Sequence, residues 1–281
     1  MRVLITGGGG LLGGELIRTA PDGVEVHATR RRAPVHAPSV HTVELSADAA
    51  VDALVARLRP DVVIHAAYGK QDLARDVVRA TRNVAAACAR TGTTLVHVST
   101  DVVFDGEQAP YSESDPPAPI SDYGRSKAEA EGVVRSLMPG AAIVRTSVIV
   151  RTDAENEIVR QLRDGSLPPA FVDELRSVIA VADLAAQLWE LALLPKERIG
   201  GVWHLAGPEA VSRYALAALL ALRHGIDPRQ VKPALNRDFH ERRPRDLRLL
   251  TARADRELRT RVRPISEALF GATIAGLPQR E

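Results

Sequence analysis

The chain has 281 residues, 45% hydrophobic and 26% charged, which suits a soluble globular protein with one large α/β domain or two small ones. Lys+Arg 37 against Asp+Glu 35 leaves a net charge of +2, so charge does not argue for a nucleic-acid partner. Cys88 is the only cysteine, which excludes an internal disulfide and a thiolate metal cluster.

Val3, Leu4 and Ile5 read as a first buried strand, and the apolar stretch Leu11–Ile17 as a helix. Between them stands Gly7-x-x-Gly10-x-x-Gly13. Such glycines between a strand and a helix suit a dinucleotide site, the alternative being a flexible glycine turn without a ligand. Gly7 allows the tight turn, Gly10 admits a pyrophosphate to the backbone, and Gly13 lets the helix lie close to the strand. The helix start at Leu11 and Leu12 brings free N–H groups to the phosphates.

Val24–Ala28 reads as a second strand and the stretch near Val40–Leu45 as a third. Asp48–Leu58 has helical spacing and Pro60 ends it; Asp61–Ala67 is a fourth strand, Asp72–Arg90 a long helix, Thr94–Ser99 a fifth strand. Ser121–Leu137 is the next helix and Ala141–Val150 a sixth strand. Beyond it come a helix near Ala154–Asp164, the Pro168-Pro169 break, a helix over Ala182–Leu194 capped or opened by Asp183, and a strand at Gly201–Leu205 returning to the sheet. Strands alternating with helices imply a doubly wound parallel Rossmann sheet, with ligands at the carboxyl ends of its strands. Residues 1–150 are expected to form the dinucleotide-binding domain, completed by about 182–206, and 151–281 a smaller, mainly substrate-binding part. The expected strand ends are Gly7–Gly10, Thr29–Arg32, Leu45–Ser46, Ala66, Ala67, Tyr68, and Ser99–Asp101.

Arg30, Arg31 and Arg32 follow the second strand, where an acidic residue would bond the 2′-hydroxyl of NAD. Cations there suit a 2′-phosphate, so NADP(H) is expected over NAD(H), with Leu45 and Ser46 flanking the adenine. Tyr123 and Lys127 stand four apart on one helix, which places phenol and ammonium on one face. A nearby ammonium favours phenolate and is expected to lower the tyrosine pKa, making Tyr123 a general acid. Thr100, at the end of the fifth strand, is placed either to bond the same substrate oxygen or to serve only as a strand-end turn residue. His36 and His41 lack a third metal ligand, and His97 and His204 read as satisfied core or rim residues. The basic run Arg242–Arg248, Arg243 included, suits either a substrate diphosphate or a solvated turn.

The chain resembles the extended short-chain dehydrogenases/reductases, and more narrowly the dTDP-4-dehydrorhamnose reductase family. The resemblance is carried by Thr6-Gly-Gly-Gly-Gly10-Leu-Leu-Gly13, Arg59-Pro-Asp-Val-Val-Ile-His-Ala-Ala-Tyr68, Ser99-Thr-Asp-Val-Val-Phe-Asp-Gly106, Tyr111-Ser-Glu-Ser-Asp-Pro116 and Tyr123-Gly-Arg-Ser-Lys127. Val144-Arg-Thr-Ser147, Gly201-Val-Trp-His-Leu-Ala-Gly207 and Arg243-Pro-Arg-Asp-Leu-Arg-Leu249 extend it. It implies NADPH-dependent reduction of a keto group on a nucleotide-linked deoxysugar. Tyr123 protonates the developing alkoxide, Lys127 holds the nicotinamide ribose and Thr100 orients the carbonyl. Asp101, Val102 and Arg176 fall on the substrate side. The chain departs from the family with Val102 in place of a frequent Tyr, His65 in place of Asn, Val178 in place of Pro, and Val77 in place of an Asn that serves a proton relay. The family also holds epimerases and dehydratases, and a non-catalytic regulatory subunit of methionine adenosyltransferase. The expected partners are a nucleotide sugar and at most a second copy of the chain. Neither nucleic acid nor membrane is expected, and the absence of a leader or a membrane-spanning run points to the cytoplasm.

Overall fold

The computed structural model describes residues 1–69, 71–239 and 243–271. Strand β1 (Arg2–Thr6) leads through the glycine turn into α1 (Leu11–Arg18). β2 (Glu25–Arg30), β3 (Ser39–Thr42), α2 (Asp48–Leu58) and β4 (Val62–His65) follow. A π-turn at Ala74–Arg79 runs into α3 (Ala80–Thr91), then come β5 (Thr94–Thr100), α4 (Asp122–Leu137) and β6 (Ala142–Thr146). The remainder supplies β7 (Ile149–Val150), α5 (Glu157–Arg163), β8 (Ala170–Phe171), β9 (Leu175–Ser177), β10 (Ile179–Ala180), α6 (Val181–Ala192), α7 (Lys196–Ile199) and β11 (Gly201–His204). β12 (Ala210–Ser212), α8 (Arg213–Arg223), β13 (Pro233–Ala234), β14 (Asp246–Leu247), α9 (Ala252–Glu257) and α10 (Ile265–Phe270) complete it.

Seven strands form one sheet in the order β11-β6-β5-β4-β1-β2-β3, every pairing parallel. β4, Val-Val-Ile-His, is buried along its whole length, as a central parallel strand covered on both faces must be. Val3, Ile5, Ile64 and Val96 face one helical layer with Leu16 of α1 and Leu184 and Leu188 of α6. Leu4, Val63 and Leu95 face the other, with Leu54 and Val55 of α2 and Val84 of α3. The indole of Trp189 donates to the Leu16 carbonyl at 3.0 Å, which locks α6 onto α1. A separate cluster, including Val150, Val211, Leu216 and Leu220, forms the smaller part beyond the sheet.

Two local expectations are corrected and a third is narrowed. The stretch Ala141–Val150 is not one strand: after Thr146 the chain leaves the sheet, and Ile149 pairs with Ile179 of β10. The helix expected from Asp72 begins as a π-turn. Asp183 opens α6 rather than capping it: it is the acidic residue of the first turn, after the N-cap Ala180, and it holds Arg263, with Nη2 to Oδ1 at 2.6 Å. Among the described residues no helix is long and apolar enough to cross a membrane.

Candidate active site

The glycine turn is built by close approach. Gly7 has φ +76°, and a Cβ there would sit 2.8 Å from the Ala67 Cα. A Cβ on Gly13 would sit 2.2 Å from the Gly7 carbonyl oxygen, so only glycine lets α1 start against the turn. Gly10 is the N-cap of α1 and has no side chain to occupy the first-turn N–H groups. Leu11 and Leu12 offer backbone only. The Leu12 side chain is packed in the core, and Leu11 borders a different cavity beside α1 and β7.

A cleft of about 400 Å³ opens between this turn and the ends of β2, β3 and β4. Its walls include Arg30, Arg31, Arg32, Leu45, Ala66, Ala67 and Tyr68. Ala67 N–H donates to Thr6 Oγ1 at 3.2 Å, which pins the end of β4 to β1. The Leu45 carbonyl accepts from Asn83 Nδ2 at 3.0 Å, so α3 fixes that wall. Arg30 Nε donates to Thr42 Oγ1 at 3.1 Å, and Arg31 reaches Asp76. Ser46 does not line the cleft: its hydroxyl donates to Glu44 Oε1 at 3.1 Å. Asp76 stays ionised because hydrogen bonds from Arg75 and Arg31 hold its carboxyl below the usual range.

At the other end of the cleft, Thr100 closes β5. Its Oγ1 accepts from Val102 N–H at 3.4 Å and donates to Asp101 Oδ1 at 3.2 Å. α4 starts at the cap Ser121, whose Oγ accepts from Gly124 N–H at 3.1 Å. A Cβ on Gly124 would meet the Val102 carbonyl at 2.2 Å, so this glycine lets α4 press against the turn after β5. That approach brings Tyr123 near Asp101, the residue after Thr100. The Tyr123 ring lies 5.9 Å from that of Tyr68, a residue of the cleft wall.

Lys127 is buried, and its Nζ donates to the Val98 carbonyl at 2.7 Å. Burial pulls its pKa from 10.5 down to about 8 against the pull of Glu131 one turn on. Tyr123 runs opposite to expectation. Its pKa is raised, chiefly by burial and then by Tyr68 and Asp101.

Beneath these groups lies a buried polar layer between the sheet and α3 and α4. Ser99 was expected at the cofactor, but its hydroxyl donates to Glu131 Oε1 at 2.6 Å. Glu131 also takes Arg145 Nη2 at 2.9 Å and Arg135 Nη2 at 2.8 Å. His65 lies 2.7 Å from Thr6 Oγ1 and 3.2 Å from Thr81 Oγ1, and burial beside Lys127 lowers its pKa to about 3. His97 is not a satisfied core histidine: neither ring nitrogen has a partner among the described residues. His204 Nδ1 lies 3.0 Å from the Leu250 carbonyl. His41 pairs with His27, ring nitrogens 3.1 Å apart, rather than with His36. Val77 is fully buried in the π-turn and takes no part in a polar relay.

The substrate-side residues divide. Asp101 is buried, accepts from Ser147 Oγ at 2.6 Å, and has a pKa raised by that burial. Arg176 is not an open contact. It is 2% exposed and donates to the carbonyls of Leu175 at 2.8 Å and Pro244 at 3.1 Å, tying β9 to the late loop. Val102 packs against the Phe104 and Tyr111 cluster. Arg243 is half-exposed, pairs with the buried Glu174 and lies over the Phe171 ring at 5.2 Å. Arg242, the first residue of the basic run, lies outside the described residues. Sequence reasoning missed Asp76, Glu131 and Glu174. Glu131 had a signal: a carboxylate one turn from Lys127 on a buried face, with Arg145 as the single charge in the apolar strand β6.

The profile of the RmlD substrate binding domain family matches residues 1–273. The chain is 34% identical over 262 residues to the dTDP-4-dehydrorhamnose reductase of Mycobacterium tuberculosis, covering 87% of this chain and 82% of that one. It is 31% identical over 254 residues to methionine adenosyltransferase 2 subunit beta of Rattus norvegicus, covering 83% of this chain and 75% of the relative. The crystal structure of Bacillus anthracis dTDP-4-dehydrorhamnose reductase in complex with NADP superposes with a TM-score of 0.81 at 25% identity, over 95% of this chain and 96% of that one. The match over nearly the full length joins the sheet order and the strand-end cleft in one conclusion: the chain belongs to the RmlD substrate binding domain family.

Proposed function

We propose that this protein is an NADPH-dependent reductase of a keto group on a nucleotide-linked deoxysugar. The reading rests on one observation: the arginine-lined cleft includes Tyr68, and the Tyr68 ring lies 5.9 Å from that of Tyr123, tilted by 50°. The cleft fits a phosphorylated dinucleotide. Gly7 and Gly10 line it with bare backbone beside the uncapped start of α1, and Arg30, Arg31 and Arg32 offer cations for a 2′-phosphate. Such a cofactor, when bound, supplies hydride to the substrate carbonyl.

The rest is the work of the chain's own residues. The Thr100 hydroxyl orients the substrate oxygen. Tyr123, kept protonated by its raised pKa, gives its phenolic proton to the alkoxide oxygen as the carbonyl is reduced. A tyrosine that enters the cycle carrying its proton suits reduction. Lys127, one helical turn from Tyr123, keeps two ammonium protons beyond its bond to the Val98 carbonyl, and these would hold ribose hydroxyls.

The likeness to a methionine adenosyltransferase subunit supports a second, non-catalytic reading. One assay separates the two. Purified protein is given NADPH and a panel of dTDP- and other nucleotide-linked 4-keto-6-deoxysugars, and NADPH oxidation is followed. Turnover of a keto sugar is expected. Tight NADPH binding with no turnover of any member would favour the regulatory subunit. Stoichiometric NAD retained through purification would favour an epimerase or dehydratase.

A further inference from the structure

Arg31 stands where the 2′-phosphate is expected, yet it is already shared. Its Nη1 lies 3.1 Å from Asp76 Oδ1 and 3.9 Å from Glu44 Oε2, and all three residues line the same cleft. Asp76 reaches the cleft from the π-turn Ala74–Arg79. Such turns insert one extra residue and so re-aim side chains, often at functional sites. The Asp76 side chain is 3% exposed, and Arg75 Nε donates to the same Oδ1 at 2.8 Å. Both arginines therefore engage one oxygen. The other, Oδ2, is buried at the wall of the cleft with no partner among the described residues. It sits against Gly69, where an added Cβ would lie 2.3 Å away, so the glycine keeps room for this carboxylate. A buried carboxylate oxygen without a donor is costly to maintain, and a ligand hydroxyl is a donor that relieves it.

We propose that Asp76 sets the balance between the two dinucleotides: it competes with a 2′-phosphate for Arg31 and offers Oδ2 to the ribose hydroxyl of the unphosphorylated form. A dianionic phosphate entering the cleft meets a fixed like charge and must draw Arg31 away from it. A ribose hydroxyl meets an acceptor instead. Asp76 thus holds down the preference that Arg30–Arg32 create. This inference rests on the reading of the cleft as a nicotinamide dinucleotide site.

The test is direct binding, independent of turnover. Dissociation constants for NADPH and NADH are measured by fluorescence titration for the wild type, Asp76→Asn and Asp76→Glu. Arg31 and Arg75 side chains are 44% and 41% exposed, so removing the carboxylate leaves no buried cation and the fold should persist. Asp76→Asn should tighten NADPH, weaken NADH and widen their ratio about tenfold or more, the scale of one like-charge contact in a partly solvated site. Asp76→Glu keeps the charge and should stay near the wild-type ratio. If Asp76→Asn weakens NADPH, or leaves the ratio unchanged, Asp76 merely presents Arg31 and the inference is overturned. If the wild type binds neither dinucleotide, the cleft reading fails and takes the inference with it.

Discussion

Lys127 should cost this protein stability, and Lys127→Met should return it. The ammonium is 4% exposed and is held at a pKa of about 8 against 10.5 in the open chain. That gap corresponds to about 3 kcal/mol of charge burial borne by the folded state at neutral pH. Methionine matches the length of the side chain and carries no charge, while losing the 2.7 Å hydrogen bond to the Val98 carbonyl costs about 1–2 kcal/mol in return. A net gain of about 1–2 kcal/mol is expected. The pH dependence carries the same sign. Because the folded pKa is depressed, the unfolded chain binds more protons between pH 8 and 10.5. Wild-type stability should therefore rise through that window from this group, and the rise should vanish in Lys127→Met. Urea denaturation followed by circular dichroism, at pH 7 and across the window, measures both. A destabilised Lys127→Met with an unchanged pH slope would refute the argument that burial dominates this lysine.

Two further outcomes follow from the same geometry. Glu131→Ala strands the buried Arg145 guanidinium, so the urea midpoint should fall by the equivalent of about 3–5 kcal/mol. Gly13→Ala drives a methyl toward the Gly7 carbonyl at 2.2 Å, so α1 must shift at a cost of ~1–3 kcal/mol, and titration should show weakened NADPH binding.

Much of this architecture was legible in the chain because its signals are local. Apolar runs such as Val62-Val-Ile mark central parallel strands, and the glycine spacing after β1 marks a turn that only small residues can make. Tyr123 and Lys127 were legible from their four-residue spacing. What could not be read were pairings between distant segments. Ser99 looks free in the sequence, yet Glu131 from α4 takes its hydroxyl. Arg176 is expected on the substrate side, yet the carbonyls of Leu175 and of Pro244 in the late loop take its guanidinium. The sign of the Tyr123 shift depends on how deeply α4 seats against the turn after β5, and no spacing within one helix reports that. The π-turn that aims Asp76 is hidden for another reason: one extra residue barely alters the apolar pattern of a long helix.

In the proposed reaction Tyr123 donates the proton that completes carbonyl reduction. The most direct test compares wild type with Tyr123→Phe in NADPH oxidation by the keto sugar that the wild type accepts, with NADPH affinity measured alongside. The substitution removes one hydroxyl and little volume. NADPH affinity should therefore hold, while turnover falls by about two to four orders of magnitude. Tyr123→Phe turning over at the wild-type rate would contradict the account.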